Sequence, residues 1–264
     1  MKLGCCLNMN AKGDFKIGEE SIPLFSKLGY DYIELPLAQV MDLQEDAFRS
    51  LLSDIKSGGI PMETCNNFFP ANIRLTGENA TPDIALEYAK RACDRAAQMG
   101  AKIIVFGSSG AKNIPEGFPY SEARRQYIDL LGMLQDIVLP LGITVALEAL
   151  NTKESNFILS ISEALAAMNE VSCSNIKLLA DYYHMRMEDE DISILHSVGK
   201  DLRHVHIAAR DGRVFPKQGD GEDYTGFFNV LKDIGYSGGV SVEAYSDDLA
   251  QEALSVSELL RPLM

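Results

Sequence analysis

Short apolar, β-branched runs alternate with longer amphipathic stretches eight times along this chain. Such an alternation forces parallel pairing, because each helical crossover returns the chain to the same end of the sheet. The pattern predicts strands over residues 2–8, 30–35, 60–66, 102–107, 144–148, 176–180, 204–208 and 239–243. Between them it predicts helices over 19–28, 45–57, 84–99, 121–139, 160–171, 192–198, 225–234 and 248–260. In the helix over 84–99, Ile84, Tyr88, Ala92 and Ala96 recur every fourth residue, one face of a helical period. Gly29, Gly59, Gly100, Gly142, Gly199 and Gly235 closely follow predicted helices, where a chain leaves through positive φ. The joints KLGYD, QMGAK, PLGIT and DIGYS form a weak internal repeat with a period of roughly 30 residues. Eight such units in 264 residues fit a single (β/α)8 TIM barrel, one domain over 1–264, better than an open doubly wound sheet.

Composition narrows the function. Hydrophobic residues make up 46% of the chain, enough for a large core, which excludes a mostly disordered protein. The 24 Lys and Arg against 38 Asp and Glu leave a net charge of −14, a field that repels polyphosphate and anionic lipid. Neither nucleic acid nor membrane is therefore expected as a partner. No apolar run approaches the ~18 residues of a membrane span, and the N-terminus lacks a basic region leading into an apolar stretch. Cys5, Cys6, Cys65, Cys93 and Cys173 are odd in number and without CxxC spacing, so they fit neither a disulfide framework nor a zinc knuckle. A reducing cytoplasm is expected.

The chemistry is written at the ends of the last four strands. VALEALN places Glu148 after an apolar run, IKLLADYYH does the same for Asp181, LRHVHIAAR carries His204 and His206, and GGVSVEAY ends on Glu243. In a barrel all strand C-termini meet on one face, so these groups would converge. Three carboxylates a few Å apart cannot all stay ionised in a partly buried site, and a divalent cation resolves that conflict. Three carboxylates with one imidazole form a hard, oxygen-rich set suited to Mn2+, with Mg2+ or Co2+ as alternatives. His204 and His206 share strand parity; His206 lies nearer the C-terminal end and is the better ligand, with His204 a layer below. His196 falls on a helix and reads as a surface residue.

These motifs resemble the xylose-isomerase-like barrels, and within them the D-tagatose/D-psicose 3-epimerase branch. The resemblance implies Glu148, Asp181, His206 and Glu243 as ligands of one Mn2+, Mg2+ or Co2+. It implies Glu148 and Glu243 as the acid/base pair of a ketose 3-epimerase, which removes a proton beside a carbonyl through a metal-stabilised enediolate. The ExxNxxE pattern is met by Glu148, Asn151 and Glu154, and the DxxH pattern by Asp181 and His184. By resemblance, His184 and the Arg of the loop after the seventh strand donate to the developing negative oxygen, and Glu154 accepts from a terminal hydroxyl. Arg213 matches that Arg best, with Arg210 close by. The family commonly forms homodimers or homotetramers, which is the expectation here. Family members often carry Trp in the sugar pocket; this chain has none, and Phe68, Phe69, Phe106 and Tyr245 are the expected apolar wall.

The same ligand set would also serve an inosose dehydratase or a hydroxypyruvate isomerase, and a non-catalytic sugar-binding barrel would keep the pocket. A multi-metal DNA-repair site needs more than the four His present, and its substrate opposes the charge of −14. FGSSGAKNIPEG, after the fourth strand, lacks the GxxxxGK[ST] of a phosphate loop. Glu34, ending the second strand, has substrate contact, helix capping and solvation as open roles, and Asn66 in NNFFP falls at the same rim.

Overall fold

The structure is a computed structural model that describes every residue of the chain except 13 and 15. Eight strands close a parallel barrel in sequence order: β1 Lys2–Cys6, β2 Tyr32–Pro36, β3 Met62–Asn66, β4 Ile103–Phe106, β5 Thr144–Glu148, β6 Ile176–Asp181, β7 Leu202–Ile207 and β8 Gly239–Val242. Pairing of β1 with β8, Leu3 opposite Val240, shuts the ring. The predicted (β/α)8 barrel is the observed one. Strand starts move by about two residues in places: the ladder begins at Tyr32 and Met62, after bends at Asp31 and Ile60.

The helices Ile22–Lys27, Glu45–Ser57, Pro82–Met99, Tyr120–Val138, Ile161–Val171, Leu195–Val198, Tyr224–Asp233 and Leu249–Leu260 follow the eight strands in turn. All six glycines at the predicted joints have positive φ. On Pro82–Met99 the buried face runs through Ala85, Tyr88, Ala89, Ala92, Cys93, Ala96 and Met99. Ile84 departs from the prediction: it is 55% exposed although its neighbour Ala85 is buried, because a strict spacing of four drifts around a helix of ~3.6 residues per turn and carries Ile84 off the buried face.

Strand parity splits the interior in two. Residues such as Leu3, Ile33, Leu35, Ile104, Phe106, Val145, Leu147, Leu178, Val205, Ile207, Val240 and Val242 face outward and pack with the helices into one large core. Each such side chain, fully buried, contributes about 1.5–3 kcal/mol. The opposite parity faces into the barrel, where Val105, Ala146 and Leu179 form only a small apolar plug. The rest of the buried interior is polar: Tyr32, Glu34, Thr64, Asn66, Glu148, Asp181, His204, His206, Ser241 and Glu243. Buried polar groups must be hydrogen-bonded or paired, so a polar barrel interior is built for a purpose other than stability.

Candidate active site

Four ligand atoms, one each from Glu148, Asp181, His206 and Glu243, lie within 4.8 Å of one another at the C-terminal mouth of the barrel. Each is placed by its own element. Glu148 is the last residue of β5, and its backbone carbonyl accepts from the Lys112 ammonium at 3.1 Å. Asp181 ends β6 and caps the short helix Tyr182–Met187, its Oδ1 accepting from the Tyr183 N–H at 2.8 Å. That cap fixes the carboxylate and leaves Oδ2 free to face the mouth. His206 sits on β7 with Nδ1 at 3.2 Å from Glu148 Oε1 and 3.3 Å from Glu243 Oε2. Glu243 follows β8, held by the Asn66 side-chain amide at 3.1 Å on Oε1 and by Arg213 on Oε2.

The electrostatics call for positive charge at this point. Burial alone would lower the pKa of His206, but the Glu34 and Glu243 carboxylates outweigh it and drive it well above the usual imidazole value. Burial pushes Asp181 up to about 6, only partly opposed by Arg213. Glu243 goes the other way: against its burial, His206 and Arg213 hold it below the ordinary carboxylate range. Asp181 Oδ2 is buried without a hydrogen-bond partner, 3.4 Å from His184 Nε2 and 3.6 Å from the Arg213 guanidinium. An orphaned carboxylate oxygen beside two further carboxylates and one imidazole fits a hard divalent cation.

The residues around the quartet are joined in one network. His184, one turn after Asp181, has Nδ1 at 2.8 Å from the Asn151 side chain and 3.2 Å from the Asn151 backbone N–H. Nδ1 is therefore the acceptor and Nε2 carries the proton toward the mouth; burial lowers the pKa of the ring and keeps it neutral. Asn151 also donates to Glu154 Oε1 at 3.0 Å, which ties the ExxNxxE segment together. Arg213 reaches Glu154 at 3.4 Å as well as Asp181 and Glu243, with its guanidinium 4.7 Å above the Tyr183 ring. Arg210 points outward to Asp189 at 2.7 Å, so of the two arginines it is Arg213 that the fold brings to the quartet.

Other expectations are corrected. Phe68, Phe69 and Phe106 do not line a pocket: they are buried and stack in one aromatic cluster with Tyr88 and Tyr127, since their strand parity and loop turn them into the helix layer. Tyr245 alone stands exposed at the rim. Glu34 touches neither solvent nor helix terminus; it is fully buried beneath His206. Sequence reasoning gave no role to Lys112, a fully buried lysine whose pKa burial pulls down to about 8, nor to Asn151 as a hub. The signal for Asn151 was its place in ExxNxxE; Lys112 had none, because four residues of helix, Ser109–Lys112, are too few to show a period.

A parallel eightfold barrel with a carboxylate–histidine quartet at its C-terminal mouth is an enzyme architecture, since the strand ends of such barrels carry the chemistry. The chain belongs to the xylose isomerase-like TIM barrel family, whose model matches residues 22–263. It is 27% identical over 259 residues to the ketose 3-epimerase of Arthrobacter globiformis, covering 97% of this chain and 87% of the relative. It is 26% identical over 255 residues to the 3-dehydro-D-guloside 4-epimerase of Escherichia coli, covering 88% and 92%. The crystal structure of D-psicose 3-epimerase with D-tagatose from Clostridium cellulolyticum H10 shares the fold, with a TM-score of 0.86 at 20% identity over 100% of this chain and 99% of that one. The protein is an enzyme of the isomerase and epimerase kind.

Proposed function

We propose that this protein is a ketose 3-epimerase holding one divalent cation, preferentially Mn2+ with Mg2+ or Co2+ as substitutes, on Glu148, Asp181, His206 and Glu243. The observation that carries the reading is the placement of Glu148 and Glu243. They come from strands three positions apart and approach His206 Nδ1 at 3.2 and 3.3 Å, with the unpaired Asp181 oxygen completing the group. A cation bound there would supply Lewis-acid stabilisation of the negative charge that builds on a substrate oxygen when a proton leaves the neighbouring carbon.

Inverting a carbon requires a proton to leave one face and return to the other, so two separately anchored carboxylates are needed. Glu148 and Glu243 take those roles, the first steadied through its backbone by Lys112, the second through its side chain by Asn66. His184, its Nδ1 occupied by Asn151, donates from Nε2 to the oxygen that becomes negative. Arg213, restrained over Tyr183, adds a second donor, and Glu154 accepts from a hydroxyl farther along the sugar.

The test is exchange in deuterated water. Mn2+-loaded enzyme is incubated with D-fructose, D-psicose, D-tagatose, ketopentoses, an inosose and hydroxypyruvate, and products are read by NMR. Deuterium at C3 of a ketose, with the ketone retained and the epimer accumulating, is the expected result. Label at C1 with an aldose product, or loss of water, would replace epimerisation by isomerisation or dehydration. No exchange in any substrate would leave a binding barrel. The reading extends to a cytoplasmic homodimer or homotetramer, supported by five free cysteines and by the exposed apolar residues Ile84, Leu139, Leu141 and Leu254.

A further inference from the structure

His206 belongs to two groupings at once. Its Nδ1 faces the quartet, while its Nε2 lies 3.0 Å from Glu34 Oε1 and 3.8 Å from the Cys6 thiol on the barrel axis below. Glu34, Cys6 and His206 are all buried and close enough together to hold an ion of their own. Hydrogen-bond bookkeeping decides between the two groupings. Glu34 Oε1 accepts from His206 Nε2, and Oε2 accepts from His204 Nε2 at 2.8 Å and from the Ser241 hydroxyl at 2.8 Å. Ser241 in turn receives the Tyr32 hydroxyl at 2.8 Å. Both carboxylate oxygens are thus committed to protein donors, whereas Asp181 in the upper group keeps an unpaired one.

We propose that Glu34 is a positioning residue: it fixes the ring of His206 so that Nε2 carries the hydrogen and the Nδ1 lone pair is presented to the quartet, and the lower trio is a support, not a second cation site. A carboxylate has no hydrogen to give, so Nε2 must be the donor in the Glu34 contact. Nδ1 points between Glu148 and Glu243, where a proton or a cation relieves the repulsion; with a cation held by the quartet the ring would be neutral, its lone pair on Nδ1. Glu34 is 0% exposed, so its effect on the site passes through His206. Such carboxylate–histidine–metal relays orient the ring and raise its basicity, and losing one costs about 10–100-fold in metal affinity. The inference rests on the cation reading proposed above.

The test measures Mn2+ dissociation constants by calorimetry for wild type, Glu34→Gln and Ser241→Ala, with circular dichroism to verify folding. Long-range 1H–15N NMR of Mg2+-loaded wild type reads the His206 tautomer directly. Glu34→Gln places a neutral amide against Nε2 and is expected to weaken Mn2+ binding about 10–100-fold. Ser241→Ala removes a donor to Glu34 that never touches His206, and its affinity should stay within about threefold of wild type. The NMR should show hydrogen on Nε2 and the ligated pattern on Nδ1. Unchanged affinity in Glu34→Gln, equal losses in both variants, or hydrogen on Nδ1 would each overturn the role of Glu34. The NMR result stands even if Glu34→Gln fails to fold. A wild type that takes up no divalent cation removes the cation reading itself, and this one with it.

Discussion

Two glycines separate what a residue does for the fold from what it does for the site. Gly107 follows β4 without a positive φ, and a Cβ there would run into Glu148 Oε2. Gly142 has φ +66° and open space around an added Cβ. Gly107→Ala should therefore displace the Glu148 carboxylate and lower kcat/KM by about 10–100-fold. Its melting temperature should hold, because the carboxylate borders the open mouth and can swing aside. Gly142→Ala should do the reverse, costing about 1–2 kcal/mol in stability through the left-handed conformation while leaving kcat unchanged. Steady-state kinetics and thermal melts on the two variants check both halves; a Gly107→Ala enzyme with full turnover would show that Glu148 is not held to this position.

At the scale of elements, the site is made at strand ends, and there its legibility in the sequence varied with the neighbours. Glu148, Asp181 and Glu243 stood out because each follows a largely apolar, buried β-run, and a charge ending such a run is conspicuous; His206 stood out as the second of two histidines of one parity on a single strand. Glu34 sits midway along an equally apolar strand, Tyr32–Pro36, yet nothing in a lone Glu distinguishes a rim carboxylate from one buried under a histidine; the partner lies 172 residues away. The helix Tyr182–Met187 escaped the periodicity because it has six residues, although the DxxH pattern is its imprint: Asp181 caps it and His184 follows one turn later. This dual use of Asp181 yields a prediction. Asn caps helices as well as Asp, so Asp181→Asn keeps the cap and removes the charge. In metal-free protein the variant should be at least as stable as wild type, since it relieves a buried carboxylate with an unpaired oxygen. Mn2+ affinity and turnover should fall steeply. Asp181→Ala, lacking the cap, should be about 1 kcal/mol less stable than Asp181→Asn. Equal melts for the two variants would contradict the capping role.

For the whole molecule, the division of labour is unequal between the halves of the barrel. The eightfold rhythm was readable because outward parity is apolar along the strands, with Glu63 and Arg203 near strand starts as exceptions, and that parity builds the core with the helices. The inward parity was readable only in part, since Tyr32, Thr64, Asn66 and Ser241 alternate with apolar residues just as solvent-facing side chains would. All four quartet residues lie on β5–β8 or at their ends, while β2 and β3 contribute Glu34 and Asn66 from behind. Cation binding should thus tighten one side of the barrel. At a cation concentration 100 times the dissociation constant, linkage adds about 2.7 kcal/mol to stability. For a chain of this size that raises the melting temperature by roughly 5–10 °C. Hydrogen exchange should show where it acts. Amides over 148–154, 181–187, 206–213 and 243–245 should gain protection on adding Mn2+, while the helices over Glu45–Ser57 and Pro82–Met99 should exchange as before. Protection spread evenly around the ring would mean that the cation stabilises the barrel as a whole instead of cross-linking the ends of its last four strands.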